Sequence, residues 1–285
     1  MSNNAYQSFF EHGGFFKIHD SLYEVIGEKA ATLLHGQLTN DIKGLKDNEA
    51  NYNLLLTQKG RIVGDCFAYK LADKIILALN PLFEEKIISH LKMLAPLSKV
   101  EIMPLKELKI IHVCAPSPFP SPIKGEGTPL PFVGGGQGEG SFIVNRIGFS
   151  GHDLFVPSDQ SVPFDKLDEA LIEVLRIEQG IPKIGVDVTE DNLPQEGGLE
   201  KRAISFTKGC YLGQEIVARL EYRGHVNKIL VGLKLDTPSP LVGEGRGEGK
   251  ITSQIFSPKL GAPLALGYVP YASEDPRIVK LPLNE

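Results

Sequence analysis

The residues best equipped for chemistry lie close together near position 210. The run Lys208-Gly-Cys-Tyr-Leu-Gly-Gln-Glu215 sets a thiol between two glycines, with Arg219 four residues farther on. Glycine permits backbone geometry that other residues resist and lets a ligand approach closely. Lys208 and Arg219 give Cys210 positive company, which favours the thiolate. A thiolate is a soft ligand for iron, copper or zinc. The same residues also read as a tight turn entering a helix, with Cys210 as a small buried apolar residue. The spacing leaves both readings open. Cys66 and Cys114 sit in apolar runs and read as core. There is no CxxC or HxxxH pair to build a complete zinc site. Ser150, in GFSGHD, departs from the GxSxG elbow of serine hydrolases.

Two carboxylates stand out. Asp65 ends Gly60-Arg-Ile-Val-Gly-Asp65 on an expected strand. Buried, it would have a raised pKa and act as a proton carrier or acceptor. On the solvent face of an edge strand it would do neither. Glu178 lies in Arg176-Ile-Glu178-Gln-Gly180, at the end of an apolar helix. Arg176 and Glu178 are two apart and cannot share a face. One is expected on the solvent side and the other in a cleft. A carboxylate in a cleft suits the paired N–H donors of a pterin. An exposed helix-end pair is the simpler alternative.

Several elements must position these groups. Strands are expected at 22–26, 53–56, 62–69, 75–79, 100–104, 109–114, 142–147 and 153–156. Helices are expected at 28–35, from an Asn80-Pro81 start to about 94, and at 164–179. The tail from Asn227 is strand-rich, with runs at 229–235, 251–256 and 265–269. Mixed elements followed by strands predict an α+β body with a small C-terminal β-barrel. The boundary is set at 1–226 and 227–285. Two Pro/Gly/Glu-rich repeats interrupt the pattern. Pro120–Gly127 and Pro129–Gly140 resemble Pro238–Gly245 and Pro238–Gly249. Such segments cannot bury enough apolar surface to offset chain entropy. They read as inserted, disordered surface loops at about 116–140 and 237–249.

Composition narrows the function classes. The chain has 285 residues, 42% of them hydrophobic and 23% charged, as a globular protein of two or three domains would. A net charge of −5 supplies no general attraction to nucleic acid. Three scattered cysteines fit a reducing compartment, here the cytoplasm. The first residues lack the pattern of a signal peptide. No apolar run approaches the roughly 20 residues of a membrane span.

Taken together, several segments resemble a known family. KGCYLGQE with Arg219 resembles the signature of the YgfZ-type folate-binding proteins. His35–Ile42, Thr57–Asp65, Arg146–Asp153, Arg176–Gly180 with Leu193–Leu199, and the Gly249–Val269 region resemble successive motifs of the glycine-cleavage T-protein, an aminomethyltransferase. The resemblance runs from about residue 20 to 270. It implies a T-protein-like ring of three subdomains, two of mixed α/β sheet and one C-terminal barrel, around a folate pocket. It maps the pterin-binding carboxylate onto Glu178 and the functional acid onto Asp65. Tyr211, Gln214 and Arg219 fall in the signature and are expected, with Glu178, to bind the cofactor, and Arg202 is placed near a folate carboxylate. Where the T-protein segment RTGYTGED has an acid, this chain has His152. The implied function is tetrahydrofolate binding in iron–sulfur cluster assembly or repair. Cys210 at the cleft rim would share a bridging cluster with an A-type carrier protein and serve cluster-containing client enzymes. Effects on tRNA modification would then be indirect. The alternative is a folate-dependent aminomethyltransferase-like transferase.

Overall fold

The computed structural model describes residues 3–114, 141–158, 165–236 and 250–283. The two repeat-bearing insertions lie outside them, as does residue 164; the helix expected from there begins only at Glu169, where the Asp168 side chain accepts from the Leu171 amide.

The chain opens with α1 (Asn3–His12), β1 (Gly14–Ile18), β2 (Ser21–Ile26) and α2 (Ala30–Gln37). β3 (Ala50–Leu56), β4 (Ile62–Lys70) and β5 (Lys74–Leu79) follow as an antiparallel run. Then come α3 (Glu84–Ser98), β6 (Glu101–Pro104) and β7 (Leu108–Cys114). β8 (Ser141–Asn145), β9 (Ser150–Pro157) and α4 (Glu169–Glu178) complete the central part. α5 (Glu200–Ala203) and α6 (Gln214–Arg223) precede β10 (Lys228–Lys234), β11 (Lys250–Ser257), β12 (Ala262–Pro270) and β13 (Ile278–Val279).

These strands form three sheets: β3-β4-β5-β2-β6, β1-β7-β9-β8 and β11-β12-β10-β13. The five-stranded sheet carries α2 and α3 on one face, through Leu33, Leu34, Ile87, Ile88 and Leu91. Its other face meets the β1-β7-β9-β8 sheet through Phe67, Tyr69 and Ile76 against Ile110, Phe142 and Phe155. The aromatic rings of Tyr69, Phe142 and Phe155 pack edge-on at 4.9–5.5 Å between centroids. Farther along the same face, Cys114 packs with Phe9 of α1 and Leu171 and Leu175 of α4. Cys66 and Cys114 are both buried, the core positions expected of them. The C-terminal sheet is a separate β-rich unit whose Leu264 and Leu266 pack on Ile177 at the end of α4.

The structure departs from these expectations at several places. First, α3 does not start at Asn80-Pro81. Asn80 Oδ1 does accept from the Leu82 amide at 3.1 Å, but the helix begins at Glu84 after a turn. Phe83 decides this, because its buried ring covers Gly64, where a Cβ would lie 2.5 Å from Phe83 Cβ. Packing overrides the local cap. Second, α1 and β1 were not anticipated, although Phe9 and Phe16 are core residues. Third, Arg176 and Glu178 are both buried, because the C-terminal sheet covers the end of α4. Among the described residues, no helix is long and apolar enough to cross a membrane.

Candidate functional site

Where the two central sheets, the end of α4 and the 199–202 segment converge, the protein forms two adjoining chambers, both open to solvent. The larger, of about 490 Å³, is lined by Asn40, Asn51, Tyr52, Asn145, Gln179 and Arg202 among others. The smaller, of about 230 Å³, includes Asp65, Arg146, Glu173, Arg176 and Lys183. Tyr52, Phe67, Ile181 and Arg202 belong to both walls. Together they reach the size of an ordinary small-molecule site.

Asp65 reaches the smaller chamber because the β3–β4 hairpin sets it opposite Leu54. Tyr52 pairs with Phe67 on the same hairpin, with ring centroids 4.9 Å apart. The Tyr52 hydroxyl donates to Asp65 Oδ2 at 2.9 Å. Oδ1 is closed off from solvent and has no hydrogen-bond partner. Burial, reinforced by the nearby Asp20 carboxylate, pushes the Asp65 carboxyl up to about 7; Tyr52 and Arg146 pull the other way. A carboxyl with one oxygen bare and a pKa near neutrality can accept or release a proton, or accept a hydrogen bond from a ligand.

Arg202 is the second notable group. Its Nη2 donates to the Asn145 carbonyl at 2.8 Å, and its guanidinium stands 5.8 Å from the Tyr52 ring centroid. No carboxylate pairs with it among the described residues. Burial lowers its pKa, so an anionic ligand group would be favoured beside it. The floor is fixed by Arg146. It donates from Nε to Asp153, from Nη1 to Asp20 at 3.2 Å and from Nη2 to the Tyr69 hydroxyl at 2.7 Å. Asp153 also receives Tyr69 and pairs with His112 Nδ1 at 2.7 Å.

The other expected site residues lie elsewhere. Glu178 lines neither chamber. Its Oε2 accepts from the Tyr6 hydroxyl at 2.7 Å and its Oε1 from Ser257 at 2.5 Å, so the carboxylate ties α1 and β11 to the end of α4. Arg176, not Glu178, is the member of that pair facing the smaller chamber, and it is held by Asp187 at 2.7 Å. Tyr211 is packed in the core over the Lys208 ammonium, at 5.0 Å. Gln214 opens α6, and Arg219 lies exposed on it. Cys210 is exposed, which removes the reading of it as a buried apolar residue. It lines neither chamber. His152 sits on β9 against Ser141, at 3.1 Å, and is likewise outside both.

Sequence reasoning missed Tyr52, Asn51, Phe67 and Arg146 as site residues. A signal existed for Tyr52. The turn at 58–60 fixes the hairpin register, which brings residues 52 and 65 onto one patch. Arg146 stands in the Arg146–Asp153 motif with its partner Asp153 seven residues on, but its contacts to Asp20 and Tyr69, 126 and 77 residues away, are not legible from that segment.

Comparison with known proteins adds to this geometry. Residues 14–117 match the family model described as GCVT N-terminal domain. A protein of Chloroherpeton thalassium named aminomethyltransferase is 28% identical, with 90% of this chain and 79% of the relative covered. One of the same name from Rubrobacter xylanophilus is 26% identical, covering 87% and 73%. The crystal structure of glycine cleavage system aminomethyltransferase T from Bartonella henselae superposes with a TM-score of 0.72. It is 23% identical and covers 94% of this chain and 81% of that one.

Proposed function

We propose that this chain, whose residues 14–117 match the GCVT N-terminal domain and which is similar along most of its length to aminomethyltransferases, is of the glycine-cleavage T-protein superfamily and binds tetrahydrofolate or a derivative in its two-chamber hollow. We further propose that the protein uses this site as an accessory factor in iron–sulfur cluster assembly or repair. The observation that carries the first part is the bare Oδ1 of Asp65. A buried acceptor without a donor costs free energy, and a ligand N–H removes that cost once the Asp65 carboxyl turns this oxygen toward the chamber it lines. A pterin ring offers such donors on a flat body that suits the Tyr52 and Phe67 walls. Arg202 suits a carboxylate of the same ligand. When bound, the folate would supply a nitrogen able to carry a one-carbon unit. The chain's own part is to seat it, with Asp65 holding or moving a proton beside it.

The second part draws on the KGCYLGQE resemblance and on the exposure of Cys210. One thiolate cannot hold a cluster, since clusters take about four protein ligands. Among the described residues no group of three or more His, Cys, Asp or Glu could hold a metal ion. A cluster would therefore be cargo, bridged between Cys210 and an A-type carrier protein, on its way to a client enzyme. The exposed Arg219 on α6 belongs to the partner-facing surface in this reading, with Tyr211 and Gln214 shaping the loop behind it. The reading places the protein in the cytoplasm, where thiols remain reduced. Cells carrying only Cys210→Ala are expected to mature their cluster enzymes as poorly as cells without the protein. Maturation equal to wild type removes the thiol from the account.

A second reading is favoured by the name of the curated relatives and by the near-neutral Asp65. In it the protein is an aminomethyltransferase-like transferase, Asp65 assists at the folate nitrogen, and Cys210 is incidental. Purified protein tested for transfer of formaldehyde-level carbon from methylamine donors to tetrahydrofolate separates the two. Turnover retained by Cys210→Ala supports transfer, and no turnover supports the accessory role.

A further inference from the structure

The segment carrying Cys210 is stitched to the end of α2. Lys208 Nζ donates to the carbonyls of His35 at 2.6 Å, Leu38 at 2.6 Å and Asn40 at 2.9 Å. The Ser205 amide donates to the Thr39 carbonyl at 3.1 Å, and the Leu212 amide to Gly36 at 3.2 Å. Five backbone carbonyls between residues 35 and 40 thus accept from residues 205–212. An ammonium has three donors and Lys208 places all three, while carbonyls at the end of a helix carry partial negative charge. From the other side the loop is held by the β3–β4 turn. Gly213, at φ 83°, has the Thr57 carbonyl where a Cβ would come within 2.5 Å.

The same short segment builds the wall of the larger chamber. Asn40 lines it and donates Nδ2 to the Tyr52 carbonyl at 3.0 Å. The Asn40 amide donates to Asn53 Oδ1 at 3.0 Å. Thr39 Oγ1 donates to the Ala203 carbonyl at 2.6 Å and accepts from the Leu54 amide at 2.8 Å. Residues 35–40 therefore touch Lys208 through their carbonyls and touch β3 and the 202–203 segment through their other polar groups.

We propose that Lys208 is a positioning residue that joins the Cys210 loop to the wall of the hollow, so that one segment, residues 35–40, sets both the presentation of the thiol and the seat of the ligand. The inference rests on the reading of the hollow as a folate site and of Cys210 as the partner-facing group. In physical terms, a ligand that orders Asn40 and Tyr52 also orders the carbonyls holding Lys208, and the coupling is reciprocal.

Lys208→Met keeps the stem and removes the three donors; Lys208→Arg restores charge and donors. Two quantities are read on each folded variant: the rate of native-state alkylation by iodoacetamide and the affinity for tetrahydrofolate by calorimetry. Cys66 and Cys114 are buried, so the fast alkylation phase reports Cys210. Lys208→Met is expected to change the alkylation rate by about tenfold or more. It is expected to weaken tetrahydrofolate by about tenfold, with Lys208→Arg recovering most of both. Tetrahydrofolate should slow alkylation of the wild type and not of Lys208→Met. A folded Lys208→Met protein whose alkylation rate and affinity both match wild type overturns the proposal. If wild type binds no tetrahydrofolate, the folate reading fails, and the alkylation comparison still decides whether Lys208 holds the loop. If Lys208→Met does not fold, hydrogen exchange at the Ser205 and Leu212 amides of wild type takes its place. Tetrahydrofolate is expected to slow both by about tenfold, and unchanged exchange overturns the coupling.

Discussion

Arg146→Met is expected to destabilise the protein by about 3–5 kcal/mol, the usual cost of removing one partner from a buried ion pair. The guanidinium lies 4.2 Å over the Phe67 ring and donates to Asp153, Asp20 and Tyr69. Burial works to raise the Asp153 carboxyl, but Arg146, His112 and Tyr69 together hold it below the usual carboxylate range. Its depressed pKa contributes stability above the unfolded-state value, lost only as pH falls through the folded one. Without Arg146, the buried Asp153 carboxyl and the partly buried Asp20 carboxyl share the seam of the two central sheets with no cation between them, and His112 and Tyr69 remain as partners of Asp153. Thermal unfolding at pH 7 is the measurement, with an expected fall of about 10 °C. Lys cannot reproduce the planar fork and should rescue only in part. A fall below about 1 kcal/mol, the scale of a surface pair, would mean that the network does not hold the seam.

The opposite sign is expected at Asp65. Its folded-state pKa of about 7 lies above the unfolded value of about 3.9. The folded protein therefore binds more protons than the unfolded chain between these values, and stability falls as pH rises through that window. The favourable contribution is complete near pH 4 and gone above about 7. Asp65→Asn does not titrate, so it should match wild type near pH 4 and exceed it at pH 8 by about 2–4 kcal/mol. Urea unfolding at the two pH values checks this. Equal pH slopes for variant and wild type would show that Asp65 is not a strained, bare carboxyl. A ligand that donates to the carboxylate reverses the penalty. Binding should thus release a proton near pH 6, and affinity should rise with pH up to about 7.

The two predictions concern residues that were unequally legible. Asp65 was readable because its strand follows a short turn, and hairpin register is local information. Its burial was not readable, since that depends on Asp20, Arg146 and the opposing sheet. The strands β4, β5 and β9 announced themselves by apolar runs that the structure buries. α1 is not legible because Phe9 and Phe10 sit in a polar segment whose apolar side is completed by distant residues such as Phe149, Leu171 and Leu175. Glu178 is expected in a cleft through its motif, and the helix it ends closes where expected, although it begins only at Glu169. The direction of its side chain is set by Tyr6 and Ser257, 172 and 79 residues away. The chemistry-bearing types were visible; which of them faced the hollow was a tertiary matter. Arg202 and Asp65 meet there, whereas Cys210 stands outside on a loop whose anchoring by Lys208 no spacing rule conveys.

In this account the hollow seats a folate against Asp65. Calorimetric titration of the purified protein with tetrahydrofolate at pH 7 tests it most directly, with Asp65→Asn alongside. A saturable, single-site heat in wild type, weakened by about tenfold or more in the variant, is the expected result. No saturable heat in wild type, or the same affinity in both proteins, would contradict it.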